Sequence, residues 1–208
     1  MLQFRMRYLL LNSCLLVFLG CSPVYKQMQP ANGNVTTLQK FKPTFTVVLY
    51  NTQIDVVGNH LSGLLIIKKM PDSSTRMVFS NEIGFKFFDF EFSADGKFKV
   101  YSVIKQMNKR SVLKTLRKDF ELILMDHLEN VSIRTENGLL YYVVPQTKGY
   151  NYYITDSLGN KLIRMERASK TKTVVEAIME NYIKGMPDTI AISHKTFNFT
   201  IGLKRIER

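Results

Sequence analysis

Apolar and polar residues alternate along most of the chain beyond Thr44, the period-two pattern of strands with one buried face. Phe45 to Val57 is rich in β-branched and aromatic residues, and a Gly58-Asn59 turn follows it. Leu61 to Lys69, Arg76 to Ser80 and Gly84 to Phe92 give three more strands, with Pro71 and Asp72 marking the loop between the first two. In the third of these, Phe88, Phe90 and Phe92 share one face, with Asp89 and Glu91 on the opposite, solvent side. Phe85 and Phe87 have the other parity, which points to a bulge or to a strand buried on both faces. Asp95-Gly96 reads as a tight hairpin that returns through Lys97 to Ile104.

The period then changes. Leu113, Leu116, Phe120, Ile123 and Leu124 fall at helical spacing, with Ser111 as the expected N-cap, and predict an amphipathic helix covering one face or mouth of the sheet. Strands resume at Val131 to Thr135, Leu139 to Val144, Tyr150 to Thr155 and Lys161 to Ala168. Residues 173–183 fit either a helical stripe (Val175, Ile178, Met179, Tyr182, Ile183) or a strand opening on Thr173-Val174-Val175; the strand-rich flanks favour a strand. Asp188 to Ser193 and Phe197 to Ile206 close the chain as a hairpin. Sequential hairpins with one internal helix imply a mainly β (α+β) domain: an antiparallel curled sheet, or open β half-barrel, with one or more helices in its concavity. The domain is expected over residues 41–208.

Residues 1–20 stand apart. Arg5 and Arg7 precede an apolar run of about a dozen residues, too short for a spanning helix of roughly 20. The run ends in Leu19-Gly20-Cys21, so residues 1–20 read as a cleavable secretory signal. Removing them takes away two arginines and no acid, and lowers the formal charge from +12 to +10. Such a field suits an anionic partner, and an export signal argues against nucleic acid. Cys14 leaves with the signal. Residues 21–40, with Pro23, Pro30, Asn32, Gly33 and Asn34, read as a flexible tether, with a short helix within Val35 to Phe41.

No catalytic constellation emerges, and no enzyme activity is expected. His60, His127 and His194 lack metal-ligand spacing, and neither a Gly-x-Ser-x-Gly elbow nor a phosphate loop is present. No cofactor is expected.

The Leu-Gly-Cys ending resembles the lipobox of bacterial lipoproteins, which implies acylation of Cys21, a membrane anchor and a blocked thiol. The stretch Arg76 to Val103, with its Asn81-Glu82-Ile83-Gly84 turn, resembles the LolA/LolB superfamily, and LolB more than LolA. Gly185-Met186-Pro187-Asp188-Thr189-Ile190-Ala191-Ile192 is similar to the family's Pro-x-x-Ile-x-Ile strand. Glu82 stands where LolB often has proline, and LolB's tryptophans are missing. The resemblance implies a monomeric outer-membrane lipoprotein facing the periplasm, which receives acylated lipoprotein cargo from a LolA-type carrier and inserts it into the membrane. It implies a membrane-inserting tip at Ile83. Expected acyl-chain cavity residues are Leu65, Ile67, Val78, Phe88, Phe90, Phe98 and Val100; the alternative is that these form a closed core. Lys105, Lys109, Arg110, Lys114, Arg117 and Lys118 are expected to dock the carrier or to lie against anionic lipid. The competing functions are a hydrophobic-ligand-binding lipoprotein and a structural envelope lipoprotein on the same fold.

Overall fold

A computed structural model describes residues 25, 27–56, 58–169 and 171–206. The expected signal segment and Cys21 lie outside the described residues. The strands are β1 (Gln29–Pro30), β2 (Val47–Val56), β3 (Asn59–Lys69), β4 (Thr75–Ser80), β5 (Lys86–Phe92), β6 (Phe98–Val103), β7 (Ser132–Glu136), β8 (Leu139–Pro145), β9 (Tyr150–Asp156), β10 (Leu162–Ala168), β11 (Thr173–Ile183), β12 (Met186–His194) and β13 (Phe199–Arg205). The α-helix α1 (Arg110–Leu124) connects β6 to β7.

The strands form one antiparallel sheet in the order β1-β7-β8-β9-β10-β11-β12-β13-β2-β3-β4-β5-β6. The sheet curls without closing, an open half-barrel. Its terminal strands are β1 and β6, so α1 leaves one edge and delivers the chain to the other, crossing the concavity on the way.

Alternation fixes which side chains face inward. Val48, Tyr50, Thr52, Ile54 and Val56 of β2 are buried on one parity, as are Met77 and Phe79 of β4 and Phe88, Phe90 and Phe92 of β5. The buried face of α1, formed by Leu116, Phe120, Ile123 and Leu124, meets them. Phe120 lies 5.9 Å from the Phe88 ring and 6.2 Å from Phe92. Residues 173–183 form a strand: Val175, Ala177 and Met179 are buried in alternation, which a helical stripe would not give.

Three expectations need correction. Residues 27–40 are not a free tether. Met28 is buried, β1 pairs with β7, and a 3-10 helix at Val35–Lys40 drives Leu38 into the core. Tyr25 stacks at 4.4 Å on Tyr152, and its hydroxyl donates to Glu166. A few spaced apolar residues suffice to strap a polar segment to the sheet. Second, α1 starts at Arg110, and its N-cap is Lys109, without a side-chain cap, instead of Ser111. The preceding backbone already turns, with Met107 and Asn108 donating to the Ile104 carbonyl, and buried Met107 pins it. Third, Asp89 is on the outer face yet buried. Arg76 donates to both its oxygens at 2.8 and 3.0 Å, and stacks over Tyr101 at 4.1 Å. Burial alone would raise the Asp89 carboxyl, but Arg76 and Lys86 hold it below the usual range.

Candidate lipid-binding site

The β4–β5 turn is built around Asn81. Its side chain accepts from the Phe85 backbone N–H at 2.8 Å, its own N–H donates to the Phe85 carbonyl, and its carbonyl accepts from Gly84. Gly84 closes the turn at φ +87°, a conformation that needs no side chain. This rigid closure leaves Ile83 at the tip, 90% exposed. Phe85 follows it, 56% exposed. A large aliphatic side chain held in water by a polar turn has no stabilising packing to explain it.

Beside the turn is an open groove of about 580 Å³. Phe85, Phe87, Leu61, Ile104 and Val112 give it apolar walls, and Lys105 and Lys109 stand on its rim. Phe87 reaches it because β5 is bulged. Phe79 pairs with Phe88, but Ser80 pairs with Lys86, so Phe87 is the extra residue. The parity break in the sequence signalled this bulge; that Phe85, Phe87, Ile104 and Val112 line one groove was not legible.

The expected cavity residues separate into three sets. Leu65, Ile67, Phe88 and Phe90 are fully buried in the main core, where Phe88 and Phe90 stack at 4.3 Å. Phe98 and Val100 pair with Phe92 and Phe90 and so face inward, but on edge strand β6 they stay partly open. Val78 departs from the expectation. It pairs with Asp89 and Ile66 on the outer face, one residue out of phase with Met77 and Phe79.

No protein-family model and no curated protein matches the chain. Among solved structures, a LolA superfamily protein, NE2245 from Nitrosomonas europaea, superposes with a TM-score of 0.51 at 8% identity, over 85% of this chain and 93% of that one. The chain has the LolA-superfamily fold. Two looser superpositions are a DUF1329 family protein from Desulfovibrio piger (TM-score 0.44, 10% identity, 83% of this chain, 88% of that one) and a putative outer membrane lipoprotein-sorting protein domain from Vibrio parahaemolyticus (0.43, 9%, 83% and 90%).

On this LolA-type half-barrel the six expected docking cations divide. Lys105 and Lys109 are exposed on the groove lined by Phe85 and Phe87. Arg110, Lys114, Arg117 and Lys118 line a second groove of about 920 Å³, in the seam between β6, α1 and the β8–β9 hairpin. Arg117 bonds Glu121 at 2.6 Å and the Gly96 carbonyl at 3.0 Å.

The half-barrel also contains a buried ionic cluster that the sequence does not announce. Asp119 of α1, fully buried, lies 3.0 Å from Arg167 of β10 and 2.8 Å from His194 of β12. It ties the helix to the middle of the sheet. Among the described residues no group of three or more His, Cys, Asp or Glu is placed to hold a metal ion, and no helix is long and apolar enough to cross a membrane.

Proposed function

We propose that this protein is a LolB-like lipoprotein, anchored by an acylated Cys21 in the outer membrane, that takes acyl chains of other lipoproteins and helps insert them into the bilayer. The observation that carries this reading is the exposed pair on the β4–β5 turn: Ile83 is held in water at its tip, and Phe85, two residues on, lines an open apolar groove. An acyl chain of ~15 methylenes costs on the order of 12 kcal/mol to expose to water, so a handover needs an apolar surface at the point of entry. Phe85, Phe87 and Val112 supply one where the turn runs into β5. Because α1 fills the deep concavity, the chain is held shallowly, which suits release to a membrane. Lys105 and Lys109 are placed to steer an acidic carrier to this end of the barrel.

Ile83→Glu tests the reading. The side chain makes no core contact, so the melting temperature is expected to stay unchanged, while the rate of cargo insertion into liposomes falls about tenfold, the loss expected from removing one buried aliphatic group at the membrane. Normal insertion by a normally folded variant would sink the role of the tip. It would favour a hydrophobic-ligand-binding lipoprotein using the same groove.

A further inference from the structure

The seam groove differs in chemistry from the groove lined by Phe85 and Phe87. Its floor is apolar: Phe98 and Val100 of β6, Leu113 of α1, and Val144 and Pro145 at the end of β8. Its wall is a stripe of cations. Arg110, Lys114, Arg117 and Lys118 recur at the three- and four-residue spacing that stacks side chains on one helix face. Lys148 of the β8–β9 hairpin adds a fifth from the opposite bank. Two carboxylates, Glu121 and Glu129, also reach the groove, and Glu121 is engaged by Arg117. Arg110, Lys114, Lys118 and Lys148 form no salt bridge with any described residue, although ion pairs are frequent elsewhere on this protein.

The stripe is self-repelling. Burial, together with the nearby charges of Arg167, Lys114 and Arg117, pulls the Lys118 ammonium below the ordinary lysine value. The helix opposes it as well: α1 carries no acid in its first turn, and begins with Lys109 and Arg110 at the end where its dipole is already positive. Like charges gathered over an apolar floor are stabilised by one kind of ligand, an anion attached to a hydrocarbon chain.

We propose that the seam groove is a binding site for an anionic phospholipid, with the phosphate headgroup held by Lys114, Lys118 and Arg110 and an acyl chain lying along Phe98, Val100 and Leu113. An acidic protein is the less fitting occupant. Its carboxylates would have to enter a concave channel to reach Lys118, which is half-buried, and they would leave the apolar floor uncovered. The site is separate from the groove lined by Phe85 and Phe87 and goes beyond cargo insertion, so either assignment stands if the other fails.

The test is lipid competition on the full chain, solubilised in a nonionic detergent and offered equal amounts of phosphatidylglycerol and phosphatidylcholine of the same chain length, with bound lipid read by native mass spectrometry. The native protein is expected to favour phosphatidylglycerol about tenfold, the scale set by two lysines against one anionic headgroup. Lys114→Gln with Lys118→Gln should abolish the preference. Lys68→Gln with Lys161→Gln, which removes as much charge from exposed positions outside the groove, should leave it intact. Val100→Asp should lower the binding of both lipids by placing a carboxylate on the floor. The proposal is overturned if the native protein binds the two lipids equally, or if the distant pair of substitutions erases the preference as fully as the groove pair. Equal lipid binding combined with salt-sensitive capture of an acidic carrier, lost in the Lys114→Gln, Lys118→Gln protein, would give the groove to a protein partner and equally overturn it.

Discussion

Asp119→Ala is expected to destabilise the fold by about 3–5 kcal/mol, because it leaves the Arg167 guanidinium buried without its counter-charge and the buried His194 ring without its partner. Arg167 is only 11% exposed at its side chain and His194 only 1%, and both face the same carboxylate. His194 cannot turn away, since its ring is packed at 4.6 Å from Phe197 and 4.8 Å from Phe199. For a domain of this size the loss corresponds to roughly 10–15 °C in melting temperature, readable by circular dichroism. A shift of about 2 °C or less would mean that the cluster relaxes into water and does not fasten α1 to β10 and β12.

Phe120→Ala is expected to cost a similar amount, about 3–5 kcal/mol, by a different route. The ring fills the space between Phe88 and Phe92, and both belong to β5, which is paired on its two sides and cannot move inward without breaking its ladders. A cavity therefore remains. It is lined by aromatic side chains, so it should stay dry and admit small apolar molecules. Denaturant unfolding should show the loss of stability, and titration with benzene should recover part of it. Full stability in the variant would show that α1 is a loosely seated lid. The pair of substitutions thus probes the two sides of the helix, aromatic toward β5 and ionic toward the centre of the sheet.

The sheet was largely legible because its signals are local. Period-two alternation, the Asp95-Gly96 turn and the switch to helical spacing at Leu113 each act within a few residues, and the corresponding elements are present. The segment 173–183 was ambiguous because both patterns place Val175 and Met179 inside; only pairing with β10 and β12 selects the strand. The strap at residues 27–40 was missed because polar composition outweighed the two residues, Met28 and Leu38, that bind it.

The candidate site was less legible, for a related reason. Ile83 could be read from its place in the turn. The seam groove could not, since Phe98, Leu113 and Val144 meet only because a sheet of this order curls until its two ends approach α1. Asp119, Arg167 and His194 are likewise far apart in sequence, and their types gave no spacing to recognise. Val78 was misassigned by a single step of parity, the smallest error a strand allows and one that exchanges inside for outside.

Cargo transfer tests the central claim most directly. A LolA-type carrier loaded with an acylated lipoprotein is mixed with liposomes that display the full chain through its own anchor, and the cargo recovered with floated liposomes is followed in time. Cargo is expected to move into these membranes faster than into bare liposomes of the same composition. Equal rates, with the carrier competent and the protein folded, would contradict it and leave a LolA-type half-barrel whose grooves serve some other apolar ligand.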